Sequence, residues 1–258
     1  MGRDWRRSMI PSILLLAVLA GGCGGPEGSG GPLRIAAAAD LQRVLPKLLE
    51  AYGDRDGPVA PPTFGASGDL AEQIRGGAPF DVFLSADLTI PKALEGEEQV
   101  ESMSVAPYAR GSLVMLVHPS VADKVASISD LASPEVRKIA VANYQVAPYG
   151  RAARDALEKA GLWEPLGPKL VISGSVSQAL LHVEQGNAEA ALVSRSLAEG
   201  VASKVVEIDP ALYPPRNQGV GVVNRSPRKT RARRFIAFLL SEEGRRIFDA
   251  NGFGPPIP

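Results

Sequence analysis

The sequence predicts an α/β chain with largely parallel sheets, and three observations carry that expectation. Short apolar runs of strand length recur at residues 33–36, 82–84, 113–117, 139–141, 170–172, 190–193 and 219–223. Helical periodicity fills the intervals, at 41–52, 70–75, 150–160, 177–185 and 231–250, and such alternation is the pattern of strand–helix–strand units. The stretch from residue 33 onward is long enough to bury a sizeable core, and it contains no internal repeat.

Residues 1–22 read as a targeting segment. Arg3, Arg6 and Arg7 precede the apolar run ILLLAVLA at 13–20, which has signal-peptide length and is too short to span a bilayer as a helix. The run ends in Leu19-Ala20-Gly21-Gly22-Cys23. Small residues before a cysteine resemble a bacterial lipobox, although Ala20 stands where leucine is usual. Lipidation of Cys23 is one reading and a plain cleavage site the other. Cys23 is the single cysteine of the chain, so it has no disulfide partner. The glycine-rich residues 23–32 follow as a flexible tether.

Charge excludes more than it suggests. The chain carries 28 basic and 28 acidic residues. Without the three arginines and Asp4 of residues 1–22, 25 basic residues face 27 acidic ones, which favours neither nucleic acid nor an acidic lipid surface. The basic run RKTRARR at 228–234 leads into Phe235, Phe238 and Leu239 and reads as a solvated helix face. Metal and nucleophile chemistry lack parts. His118 and His182 stand apart and there is no second cysteine, whereas a zinc site needs such groups clustered. No Gly-x-Ser-x-Gly elbow and no Gly-x-x-x-x-Gly-Lys loop is present, and Ser67 has no basic partner to activate it. The expectation is a binding protein and not an enzyme.

The candidate binding positions are small-residue turns that enter helices. An oxyanion in a dry cleft calls for neutral donors, because a buried full charge would itself need a partner. The first N–H groups of a helix supply such donors, and the helix dipole adds partial positive charge there. Four turns qualify: AAAAD at 36–40, GASG at 65–68, APYG at 147–150 and GSVS at 174–177. Each has a plainer reading as well. Ser67 is a favoured N-cap residue, the Tyr149 ring suits surface packing, and 174–177 suits an ordinary capped helix that Ser177 begins.

Residues 64–87, FGASGDLAEQIRGGAPFDVFLSAD, resemble the periplasmic molybdate-binding proteins of ABC importers. In that family a Gly-Ser-Gly-like turn leads a helix, and an (Ala)-Pro-x-Asp-(Val)-Phe-x-Ser-Ala-Asp segment follows. The resemblance covers about residues 33–256, with strong pieces at 147–163 and 176–187 and the family's ending at 239–254. It implies a two-lobed periplasmic-binding-protein fold of type II, with chain crossings near 107–111 and 213–215. Lobe one would hold 33–110 plus 219–258, and lobe two 111–218.

The resemblance also implies a ligand set. Ser67 matches a serine whose hydroxyl meets the oxyanion, and Tyr149 and Val176 match residues that offer backbone N–H groups. A further family serine falls on Asp40, or on Ala39 if the match slips by one, so its hydroxyl is missing here. Some members place a tyrosine hydroxyl where this chain has Ser194. An ionised Asp40 facing a dianion would be repelled by about 4 kcal/mol per unit charge at 4 Å and an effective dielectric of 20. Asp40 is therefore expected to cap its helix or hold a neighbour. The function so implied is capture of molybdate or tungstate, with no cofactor, and delivery to an ABC permease by a monomer. The protein would be periplasmic or on the outer face of the membrane, held there only by a lipid on Cys23. Asp40 and Ser194 keep another oxyanion or a small carboxylate open as cargo. A ligand sensor or a hydrolytic enzyme on the same fold is the alternative of another class.

Overall fold

The computed structural model describes residues 31–257; the targeting segment, Cys23 and the tether up to residue 30 lie outside the described residues. Two five-stranded sheets form two lobes. The first contains β1 (Ile35–Ala38), β2 (Thr63–Gly65), β3 (Val82–Ser85) and β4 (Ala106–Arg110). The second contains β5 (Leu113–Val117), β6 (Ile139–Ala142), β7 (Leu170–Ser173), β8 (Ala190–Ser194) and β9 (Lys204–Glu207). The chain then returns to the first sheet as β10 (Asn217–Val222). The helices are α1 (Leu45–Tyr52), α2 (Ser67–Arg75), α3 (Thr89–Gly96), α4 (Pro148–Lys159), α5 (Trp163–Leu166), α6 (Val176–Glu184), α7 (Arg195–Ala198), α8 (Lys229–Leu240) and α9 (Glu242–Asp249).

The sheets have the orders β2-β1-β3-β10-β4 and β7-β6-β8-β5-β9. Pairing is parallel around β1 and around β6, but β10 and β5 run antiparallel to their neighbours. The sheets are thus mixed, not largely parallel. The departure lies in the strands that carry the chain between lobes, which enter each sheet without a helical crossover and so need not run parallel.

Both faces of the first sheet are covered, which explains why its strands read as unbroken apolar runs. Ile35, Ala37, Val82 and Leu84 pack with α1, α8 and α9, while Ala36 and Phe83 turn to α2 and α3. That is the two-residue alternation of a strand. The helical stretch expected at 231–250 is two helices. Ser241 takes an extended conformation (ψ 167°) and its hydroxyl accepts the Gly244 N–H, capping α9. The basic run before it lies on α8, where Arg228, Arg233 and Arg234 pair with Asp81, Glu101 and Asp56.

The crossings set the lobes close together. β4 ends at Arg110 and β5 begins at Leu113, leaving Gly111 at the first crossing. A Cβ on Gly111 would stand 2.0 Å from the Tyr149 hydroxyl, so glycine is what lets α4 approach this strand. Gly68 in α2 meets lobe two in the same way. Its N–H donates to the Val146 carbonyl at 2.9 Å, and a Cβ would lie 2.7 Å from that oxygen.

Candidate functional site

A pocket lies between the lobes, lined by Ala38-Ala39-Asp40, Gly65-Ala66-Ser67, Ala86, Ala147-Pro148-Tyr149 and Val176. All four turns singled out in the sequence reach it. They follow the C-terminal ends of β1, β2, β6 and β7. In each sheet the next two strands flank β1 or β6 on opposite sides, β2 and β3 around β1 and β7 and β8 around β6, and ligands of open α/β sheets bind at such reversals. A neighbouring hollow touches both crossings at Gly111, Tyr213 and Arg216, and shares Ala86, Pro148 and Tyr149 with the pocket.

Each turn places the first residues of a helix in this lining, and the first N–H groups of a helix have no partner within it. In α2 the N-cap residue is Ala66, which has no side chain to cap with. Ser67 sits one residue inside the helix, so it does not cap. Its Oγ accepts the Ala86 N–H at 3.0 Å, and the residue is 1% exposed. A hydroxyl that already accepts keeps its proton to donate. Helix α4 starts at Pro148, earlier than expected. Proline suits this first position because its missing N–H would have been unpaired anyway, and Tyr149 then presents the first N–H. In α6 the cap is Ser175, whose hydroxyl accepts the Gln178 N–H at 3.3 Å, and not Ser177. Val176, ahead of Ser177, carries the first N–H of that helix. Among the described residues that line the pocket there is no Lys or Arg.

Asp40 is the one charged residue in the lining. It is fully buried in a short 3-10 turn, Ala39–Leu41, whose N-cap is Ala38. It holds neighbours instead of capping. Gln218 Nε2 donates to Asp40 Oδ2 at 2.5 Å, and Gln218 Oε1 accepts from the Tyr108 hydroxyl at 2.5 Å. The second proton of the Gln218 amide goes to the Tyr149 hydroxyl at 3.1 Å. Burial pushes the Asp40 carboxyl up to about 6, against the pull of its bonds to Gln218 and Tyr149. The same burial, with the Asp40 charge beside them, pushes the Tyr108 and Tyr149 hydroxyls well above the usual phenol range.

Of the expected residues, Ala39, Asp40, Ser67, Tyr149 and Val176 line the pocket, and Ser194 does not. The Ser194 hydroxyl pairs with that of Ser196 at 2.7 Å, and Ser196 Oγ donates to the Asp40 carbonyl at 2.8 Å. Sequence reasoning missed Gln218, Tyr108 and Ser196. The one available signal was Gln218 itself, a polar residue heading the apolar run GVGVV. His118 is engaged locally, its Nδ1 accepting the Ser120 N–H. Among the described residues no group of three or more His, Cys, Asp or Glu side chains is placed to hold a metal ion.

Two α/β lobes facing a shared pocket that helix starts ring and no Lys or Arg lines have the build of a solute-binding protein. The chain belongs to the bacterial extracellular solute-binding protein family, whose profile matches residues 33–254. It is 31% identical over 229 residues to the molybdate-binding protein of Rhodobacter capsulatus, covering 87% of this chain and 89% of that protein. It is 28% identical to a putative ABC transporter substrate-binding lipoprotein of Bacillus subtilis, covering 95% and 97% of the two chains. Its fold matches the periplasmic molybdate-binding protein of Azotobacter vinelandii with a TM-score of 0.81, at 27% identity over 87% of this chain and all of that one.

Proposed function

We propose that this protein captures molybdate or tungstate between its lobes and presents it to an ABC permease. The observation that carries the reading is the convergence of helix starts and the Ser67 hydroxyl on one pocket without a cation. Neutral donors suit a small dianion that must later be released, since they leave no buried charge behind. The ligand-binding set is Ala39, Asp40, Ser67, Tyr149 and Val176, with Ser194 acting through its contact with Ser196. Lobe one comprises 33–110 plus 217–258 and lobe two 111–216, the second boundary lying two residues earlier than expected because Asn217 and Gln218 already pair with β4, and hinge closure over the ligand completes the site. The protein acts as a monomeric carrier without catalytic activity, on the outer face of the membrane, anchored through a lipid on Cys23.

Calorimetric titration of the chain from Pro32 onward with molybdate, tungstate, sulfate and phosphate tests this reading. Saturable one-to-one binding of molybdate or tungstate, with sulfate silent, supports it. A second reading keeps the pocket and changes the cargo to another tetrahedral oxyanion or a small carboxylate. Asp40 favours it, since a carboxylate stands in the lining. Silence toward molybdate and tungstate together with binding of phosphate would select it.

A further inference from the structure

Asp40 is a buried acid that the donor set does not use. Its Oδ2 is taken by Gln218, while Oδ1 is buried with no hydrogen-bond partner. A bare buried carboxylate oxygen is costly to leave so. The groups that face the carboxyl are the Gln218 amide from β10, the Tyr149 hydroxyl from α4, and Asp40's own backbone N–H. Tyr108 of β4 stands behind Gln218. None of these is a cation. The elements packed against this turn are α6, α7 and β2, and their charged side chains are engaged elsewhere. Glu184 of α6 pairs with Arg43 and Arg195 of α7 with Glu207, while His182 of α6 is half-buried and not among the groups that face the carboxyl, and β2 carries no titratable group. Among the described residues, no cation is therefore placed to neutralise Asp40 when an anion arrives.

We propose that the pocket takes up its tetrahedral oxyanion together with one proton, shared between Asp40 Oδ1 and a ligand oxygen. The proposal rests on the reading of this pocket as an oxyanion site, and it makes Asp40 the residue that sets which protonation state is bound. A dianion beside an ionised Asp40 places like charges in one dry cavity. One proton between them removes that repulsion and converts Oδ1 from a bare acceptor into half of an O–H···O⁻ hydrogen bond, the short, strong kind. With the proton on Asp40, Oδ1 donates to the oxyanion. With the proton on the ligand, the ligand donates to Oδ1. Both forms hold the same atoms and the same charge, and no bond other than that to the proton changes. Because burial already holds the Asp40 carboxyl near 6, it is largely ionised in the free protein above neutrality, and the proton must be taken from solvent.

The test is calorimetry of the purified full chain with sodium molybdate at about pH 8, in buffers of different ionisation enthalpy, together with affinities from about pH 6.5 to pH 8.5. The expected result is a binding enthalpy that varies with buffer, with close to one proton taken up per molybdate. Affinity should fall about tenfold per pH unit above pH 7. Asp40→Asn keeps the size and removes the acid, so it should bind with no buffer dependence and a flat pH profile. Wild-type binding with equal affinity across the range and equal enthalpy in every buffer overturns the proposal while leaving the oxyanion reading intact. Silence of wild type and D40N at every pH overturns both. The wild-type series decides the matter alone if the variant does not fold.

Discussion

The Tyr149 hydroxyl accepts a hydrogen bond from Gln218 Nε2 at 3.1 Å, tying the start of α4 in one lobe to β10 in the other. Gln218 has no freedom to flip, because its Oε1 takes the Tyr108 hydroxyl and its amide the Asp40 carboxylate. Ser196 of lobe two closes the circuit at the Asp40 carbonyl. A buried polar network therefore spans the lobes beside the pocket, and bonds of this kind are worth more where water is excluded.

Tyr149→Phe removes the hydroxyl from this network and leaves the backbone N–H of residue 149 in place. Gln218 loses a partner, which should weaken the arrangement that joins the lobes by about 1–3 kcal/mol. The loss should appear mainly as faster molybdate release in stopped-flow dissociation. Release at the wild-type rate would remove the network from any part in closure.

Ser67→Ala should weaken oxyanion binding by roughly 1.5–3 kcal/mol, the range for a hydrogen bond to a charged group. The measurement is the calorimetric affinity for molybdate. An unchanged affinity would leave Ser67 with the single task of holding the Ala86 N–H.

Gly68→Ala places a Cβ 2.7 Å from the Val146 carbonyl across the lobe boundary. The lobes should then stay apart, giving a larger radius in small-angle scattering and at least about tenfold weaker molybdate binding, or some 1.4 kcal/mol. Gly96→Ala is the control, since nothing lies within 4 Å of a Cβ there. Compact scattering from the Gly68 variant would show that the contact yields without cost.

Asp40 also makes stability depend on pH with a definite sign. Its folded carboxyl is raised to about 6 from 3.8, so between about pH 4 and pH 6 the folded state binds more protons than the unfolded chain. Stability from this group is present at the acid end and is lost as pH rises through 6, by an order of 3 kcal/mol. Thermal melts from pH 4.5 to pH 7.5 should show wild type losing ground relative to Asp40→Asn over that window. A constant difference between the two would mean that Asp40 titrates normally.

How much of this was legible depended on burial. The runs that became β5, β6 and β8 are wholly buried, so they read as continuous apolar segments. The strands that escaped the sequence analysis, β2, β4 and β9, are all sheet edges. An edge strand is half solvated and carries mixed residues such as Lys204 and Glu207, which blurs its period. Helix α3 escaped because Pro91 falls in its first turn, where proline is tolerated but reads as a breaker. At the site, the four helix-entering turns were visible because small residues at a helix start are a local signal. The network of Gln218, Tyr108 and Ser196 was not, because it joins positions up to 178 residues apart and no local pattern encodes that. Charge repulsion left Asp40 either capping its helix or holding a neighbour, and could not say that the second holds or that the neighbour is Gln218.

The central claim is that the pocket between the lobes holds the oxyanion. Crystals grown with saturating tungstate, measured at the tungsten absorption edge, test it most directly. The account predicts one strong anomalous peak per chain inside this pocket, within hydrogen-bond reach of Ser67 Oγ and the Val176 N–H. A peak at any other position, or none at all, would contradict it.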